Sequence, residues 1–454
     1  MKKDKSNDLT KEGIKKKKFS QGMPVFNLHA AGIDVGDTQY DVAISDGANG
    51  FEVRVFRTFT EDLILLVKWL ESESITTVAI ESTGVYWLNL YLMLEEVGIE
   101  PYLVNAKHVK NVTGRKKDDT DAIWLQKLHT CGLLQKSFQP ETEIRILRTY
   151  VRQRKTLISI SSDSVRRMQK AMELMNIKLH TVISDLLGKT GLQMLNAILS
   201  GERNPDELIK YKDPRIKASE EDIKKSLTGI WKEEYLFMLK QSYDGYLFHQ
   251  LQLKECEEKI KEQLINHVAK IMDGDITDVL LEKKKPKKNQ FNIELRPLLK
   301  TIAGVDLCKI DGISEISCLE LISEIGTDMN KWYGIKHFSA WLNVAPNTKI
   351  TGGKIISSKM QKKKNQAGQT IRMSASCLST SKSPMGDYSR KMKSRLGKRG
   401  GVVATAHKLA KIIYTMMKEK REFDPTIMIN NQEIWKQKRI KYLEKQLNSL
   451  KMAV

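Results

Sequence analysis

Ala31-Gly32-Ile33-Asp34-Val35-Gly36 places one carboxylate at the end of an apolar run. From Gly32 to Ser45 apolar and polar residues alternate around a Gly-Asp turn, which predicts a β-hairpin. Phe51 to Phe59 predicts a third strand. Thr60 to Glu71 predicts a helix with Thr60 at its N-cap and acids in its first turn. Thr77 to Ile80 is a short apolar run ending at a second carboxylate, Glu81. A helix over Trp87 to Val97 and a strand over Glu100 to Asn105 follow. A further helix over Asp118 to Leu134 is predicted from Ala122, Leu125, Leu128 and Leu133 near helical spacing. The pattern is α/β.

Four acids stand out in this framework. Asp34 alone is ambiguous. A strand-Asp-Gly hairpin occurs in ribonuclease H-like nucleases, where the acid holds metal, and in actin-like and sugar-kinase ATPases, where the turn cradles phosphate. It is also an ordinary turn residue. Glu81 follows a buried strand and precedes Ser82-Thr83-Gly84. Asp118 and Asp121 are three apart, so a helix would put them on one face and turn Asp119 elsewhere. Acids crowded in this way repel one another unless they are solvated, near a helix N-terminus or holding a cation. Hard divalent cations take oxygen ligands, and two of them can activate a nucleophile and stabilise a leaving oxygen on phosphate.

Charge points to the same substrate. The chain has 454 residues and a net charge of +21. From Lys354 to Lys420 there are 17 Lys and Arg against two acids, Asp387 and Glu419. A basic surface of this kind attracts a polyanion. The five cysteines, Cys131, Cys256, Cys308, Cys318 and Cys377, are scattered without CxxC spacing, which argues against a disulfide framework and a zinc site and suits a reducing cytoplasm. No apolar run approaches membrane-spanning length, and the Lys-rich start lacks the apolar stretch of a secretory signal.

The organisation reads as a basic disordered arm over 1–27, a catalytic α/β domain over 28–150, and a helical region over 151–296. That region ends in a basic loop at 283–288. A third region spans 297–420, and a charged helix lies within 421–454. Met238 to Met272 has the pattern of a long amphipathic helix, either a coiled coil or a packed bundle helix. Two glycine-bearing turns, at Gly304 and Gly312, could dock on phosphate or simply close a helical hairpin.

The sequence resembles the DEDD transposases and site-specific recombinases of bacterial insertion sequences, the family that includes the Piv DNA invertase. The resemblance runs from about 28 to 420. It rests on Gly32-Ile-Asp-Val-Gly36, Ala79-Ile-Glu-Ser-Thr-Gly-Val-Tyr-Trp87, Leu103 to Asn111, and Gly114-Arg-Lys-Lys-Asp-Asp-Thr-Asp-Ala122. It continues with Gly304-Val-Asp306, Ile322 to Met329, His337 to Pro346, Lys349-Ile-Thr-Gly-Gly-Lys354 and Arg372.

The resemblance implies a RuvC/ribonuclease H-like N-terminal domain with Asp34, Glu81, Asp118 and Asp121 as its acidic tetrad. It further implies an α-helical coiled-coil middle region and a mainly α C-terminal transposase domain with a serine nucleophile that becomes linked to DNA. A structured guide RNA from the element is implied for some members. Here the position of that serine is Thr351, with Ser357 and Ser358 as nearby substitutes out of register. The expected enzyme is a DNA transposase using Mg²⁺, or Mn²⁺, on the tetrad and the Thr351 hydroxyl as nucleophile. Lys354, Lys359, Lys362, Lys363, Lys364 and Arg372 are expected to neutralise phosphate. A homodimer or homotetramer acting in the bacterial cytoplasm, on the nucleoid and away from membranes, is expected. The alternatives are a metal-dependent junction nuclease without a covalent intermediate and a catalytically decayed nucleic-acid-binding protein.

Overall fold

The computed structural model describes residues 24–47, 50–106, 109, 120–273, 289–361, 365–426, 437 and 439–448. Asp118, Lys362, Lys363, Lys364, the basic loop 283–288 and the arm before residue 24 lie outside the described residues. The chain divides into two compact units, Met1–Gln139 and Pro140–Val454.

The first unit is built on a five-stranded sheet of β1 (Ala30–Val35), β2 (Gln39–Ser45), β3 (Phe51–Arg57), β4 (Thr77–Glu81) and β5 (Glu100–Val104). The strand order is β3-β2-β1-β4-β5. The first three strands form an antiparallel meander, whereas β4 runs parallel to β1 and β5 parallel to β4. Parallel neighbours need crossover helices. These are α1 (Thr60–Ser72), between β3 and β4, and α2 (Trp87–Glu96), between β4 and β5. α1 begins one residue earlier than the capping pattern suggests. Phe59 holds the extended cap conformation and makes no side-chain cap, and Thr60 is the first helical residue. Glu61 and Asp62 in its first turn suit the positive end of the helix dipole.

Strand side chains alternate between the two faces of the sheet. Ala31, Ile33, Val35, Val78 and Ile80 pack against Leu66 and Leu70 of α1 and Leu90 and Leu94 of α2. Those four leucines are fully buried, and burial of each contributes about 1.5–3 kcal/mol. Ala79 and Val104 turn the other way, onto Trp124, Leu125 and Leu128 of α3 (Asp121–Thr130). Gly32 and Asp34 share that second face by alternation with Ile33.

In the second unit, α4 (Thr142–Leu174) runs unbroken through residue 150, so the division of the chain falls before it. The residues between α4 and α7 (Glu233–Met272) include α5 (Lys189–Leu199) and α6 (Glu220–Leu227), and they close over Met168, Met172, Met194, Leu195 and Leu239. α4 and α7 are antiparallel: Glu143 meets Lys270, Arg154 meets Glu257 and Ser161 meets Gln250. The apolar face over Met238 to Met272 therefore packs on a helix of the same chain.

Then come α8 (Leu295–Ala303), α9 (Glu315–Ile325), α10 (Ile335–Trp341), α11 (Gln366–Cys377) and α12 (Pro384–Glu419). They join the α4–α7 pair directly, with both nitrogens of a fork on Arg152 meeting both carboxylate oxygens of Glu324 on α9, at 2.7 and 2.8 Å. The two glycine turns, open in the sequence to phosphate docking or to closing a helical hairpin, are covered. Lys420 lies over Gly304, and its Nζ donates to the Ala303 carbonyl at 3.0 Å. Leu378 and the Ser374 carbonyl lie over Gly312. A two-stranded hairpin, β6 (Lys349–Thr351) and β7 (Lys354–Ser357), separates α10 from α11.

Candidate active site

Asp34 and Glu81 meet because β1 and β4 are parallel and in register. Ala31 pairs with Val78, Gly32 with Ala79 and Ile33 with Ile80, so one step further sets Asp34 beside Glu81. Both lie on the face that α3 covers. α3 comes close because residue 32 is glycine: a Cβ there would stand 2.3 Å from the Gln126 nitrogen and 2.4 Å from the Ala122 carbonyl oxygen. Gln126 Nε2 also donates to the Ala30 carbonyl at 3.3 Å. Thr120 caps the helix, its Oγ1 accepting from the Ile123 nitrogen at 3.3 Å, and Asp121 is the first helical residue. The start of α3 thus delivers Asp121 to the strand ends.

The electrostatics report the result. The Asp34 carboxyl titrates above the usual carboxylate range. Burial is the main cause, followed by the negative charges of Asp121, Glu81 and Asp41, while a backbone hydrogen bond from Val35 works weakly against them. Two of the other acids singled out in the sequence, Glu81 and Asp121, therefore act on Asp34. Asp118 lies outside the described residues, and α3 begins three residues later than its apolar spacing suggests, so the helical i, i+3 argument finds one of its two acids.

Asp41 is the member that sequence reasoning passed over. It pairs directly with Asp34 across the β1–β2 hairpin, and Gln39 Nε2 donates to both its oxygens at 3.4 and 3.3 Å. The signal was in the hairpin itself. With Val35 opposite Tyr40, position 41 must fall opposite position 34 on the same face. Glu81 in turn accepts from the Thr83 hydroxyl at 2.9 Å.

Among the described residues no group of three His, Cys, Asp or Glu stands close enough to hold a metal ion. The donor chemistry nevertheless suits one. The donors are carboxylate oxygens alone, and burial followed by the neighbouring negative charges has already raised one of them, a cost that a hard divalent cation would relieve.

Thr351 lies in the other unit. It is the last residue of β6 and pairs with Lys354 across a two-residue turn. Gly352 and Gly353 have φ of 54° and 74°, so the glycine pair is what a type I′ hairpin turn requires. The hydroxyl-bearing residue, Lys354 and Lys359 are exposed, as are Ile350, Ile355 and Ile356. Ser357 is half-buried, and its Oγ accepts from the Lys359 nitrogen at 3.3 Å. Arg372 is half-buried on α11 and donates to the Asn343 carbonyl at 3.1 Å, and burial lowers its pKa. It braces the loop before the hairpin, whereas Lys354 and Lys359 face solvent.

Comparison with known families gives two matches, the first of which runs past Gln139 into the second unit. A family model described as a transposase, DEDD_Tnp_IS110, matches residues 31–177. A second, described as the transposase IS116/IS110/IS902 family, matches residues 306–389. Together they span about half of the chain. No curated protein matches it.

Proposed function

This chain belongs to the IS110 family of DEDD transposases, and from that premise we propose that it cuts and rejoins DNA with its acid cluster and a hydroxyl on the β6–β7 hairpin. The observation that carries this reading is the setting of Asp34, on which the charges of Asp121, Glu81 and Asp41 converge from three separate elements. The strand order, an antiparallel meander continued by two parallel strands, supports a RuvC-like reading of the first unit.

Asp34, Glu81, Asp118 and Asp121 are the residues to hold the divalent cation, Mg²⁺ or Mn²⁺. Bound there, such an ion supplies charge neutralisation at the scissile phosphate and at the leaving oxygen. Asp41, directly across the hairpin from Asp34, adds to the negative surroundings of its carboxyl. Thr351 supplies the nucleophile. Its Oγ1 forms a bond to phosphorus as the bond to the leaving strand breaks, and the threonine proton is balanced by the proton that the leaving oxygen takes up. The strand stays joined to protein until another strand's hydroxyl reverses the step, so no external energy source is needed. The turn glycines hold Thr351 at an exposed tip, and Lys354, directly across from it, meets phosphate. Lys359 extends that basic rim, the sequence supplies three further lysines at 362 to 364 for the same phosphate role, and Arg372 holds the loop behind the rim. A structured RNA from the element chooses the DNA, and two or four copies of the chain complete an exchange.

Denaturing gels of the full-length protein with labelled DNA and Mg²⁺ test the reading. A protein–DNA adduct that is lost in Thr351→Ala, kept in Thr351→Ser and lost in Asp34→Ala is expected. Strand breakage without an adduct in the unaltered protein would make it a junction nuclease instead. Breakage that survives Asp34→Ala would overturn the site.

A further inference from the structure

Helix α12 is two helices. At Gly397, φ is 74° and ψ 170°, a break that a side chain would resist. Eight residues of continuous helix would separate Lys393 from Gly401 by about 12 Å. Instead, a Cβ at Gly401 would stand 2.5 Å from both the nitrogen and the Cα of Lys393. The chain doubles back at Gly397, and the two arms cross in contact at Gly401. Ser389 on the first arm and Thr405 on the second are fully buried. The tip, Ser394 to Arg399, is exposed at every residue.

All the charge on that tip and on the turn of helix before it is positive. Arg390, Lys391, Lys393, Arg395, Lys398 and Arg399 fall within ten residues that contain no acid. Arg390 is the one of the six that pairs with a carboxylate among the described residues, Asp387, and it also donates to the Ser379 and Ser381 carbonyls at the base of the first arm. The other five are gathered on a bend of a few residues, where like charges repel and the compact state gains nothing from them. The glycine turns at 304 and 312 are covered by neighbouring atoms, whereas this one, like the Gly352-Gly353 turn, is open to a ligand.

We infer that the tip of this helical hairpin, Lys391 to Arg399, grips the phosphate backbone of duplex DNA. The inference rests on the reading of the protein as a DNA transposase and adds a contact surface outside the hairpin that bears Thr351. Exposed lysines and arginines without a shaped pocket neutralise phosphate and read no base, so the grip is independent of sequence.

Full-length protein and a duplex of arbitrary sequence, in EDTA so that no cleavage intervenes, provide the test. Affinity is followed by fluorescence anisotropy from about 50 to 200 mM salt. In the triple variant Arg395→Gln, Lys398→Gln, Arg399→Gln, the slope of log affinity against log salt should fall by about 2.7, or 0.9 for each phosphate contact removed. The swap Arg395→Lys, Lys398→Arg, Arg399→Lys keeps the charge and should keep the slope. A control of equal charge, Lys217→Gln, Lys225→Gln, Lys240→Gln, should leave it close to the parent. A control that lowers the slope as much as the tip variant overturns the inference, because bulk charge then suffices. So does a tip variant that binds duplex as the parent does, or one that loses only affinity for RNA. If the unaltered protein fails to bind duplex at all, the transposase reading falls with it, whereas an unchanged slope in the tip variant alone leaves that reading standing.

Discussion

The backbone nitrogen of Gln126 lies 2.3 Å from the point where a Cβ on Gly32 would sit. Helix α3 is therefore seated directly on strand β1, and that contact sets how near Asp121 comes to Asp34. Gly32→Ala should push the helix off the strand. Overpacking of this kind costs about 1–3 kcal/mol, and urea unfolding should register a loss at or above the upper end because the clash is with backbone rather than with a yielding side chain. Unchanged stability would mean that α3 is not seated there.

Asp34→Asn should abolish metal-dependent cleavage and yet make the first unit more stable at neutral pH. The Asp34 carboxyl titrates higher folded than unfolded, chiefly through burial and then through Asp121, Glu81 and Asp41. The folded state then binds the extra proton, so the stability that this group contributes is present below its unfolded pKa and is lost as pH rises through the folded value. The melting temperature of the variant should exceed that of the parent at pH 7, and the gap should close as the pH falls toward about 4. A parent more stable than the variant at neutral pH would contradict this reading of the cluster.

His129 should make the first unit acid-labile. Its Nε2 is 2.9 Å from the Thr77 hydroxyl, the ring is buried against Tyr102, and burial lowers its pKa to about 4 against opposing help from Glu100. The unfolded chain takes up a proton near pH 6.5 that the folded chain refuses until about 4, so stability is lost as pH falls across that window. The full effect is about 3 kcal/mol. His129→Gln, which keeps a donor toward Thr77, should flatten the decline between those values in denaturant titrations. An equally steep decline in the variant would assign the acid sensitivity to other groups.

Arg154 is buried between the long helices, with Nε 2.8 Å from Glu257 and Nη2 2.6 Å from the Asn289 carbonyl. Removing one partner of such a pair strands the other charge, at about 3–5 kcal/mol. Arg154→Met alone should destabilise the second unit by that amount, and adding Glu257→Leu should restore part of it. If the double variant is less stable than the single, the pair is a net stabiliser rather than a buried liability.

The strands around Asp34 were legible because β1 and β4, buried on both faces, read as short apolar runs that end at an acid. Glu81 could be placed for the same reason. Asp41 was not, because its role depends on the register of a hairpin, and Ile33-Asp34-Val35 gives no hint of which residue lies opposite. The start of α3 was misjudged because Thr120 caps with a side chain that also reads as helical, and apolar spacing does not mark where a helix begins. The apolar face of Met238 to Met272 suggested either a coiled coil or a packed helix. Spacing alone could not say that α4, about a hundred residues earlier, supplies the opposite face. The motif Thr351-Gly-Gly is similarly double. Its glycines are explained by the turn, and only the family resemblance singles out the hydroxyl before them.

The antiparallel pair of α4 and α7 has a consequence for how this chain can vary. The chain departs at Met175 and is back at Ile230, whose nitrogen donates to the Met175 carbonyl at 2.8 Å. Everything between is an excursion that begins and ends at one neck. Residues could be inserted into or excised from that excursion without changing the alignment of Arg154 with Glu257 or of Glu143 with Lys270, provided that Met168, Met172 and Leu239 remain covered. Length differences between related chains should therefore collect between Met175 and Ile230, and an inserted reporter domain should be tolerated there better than at any point along the two helices.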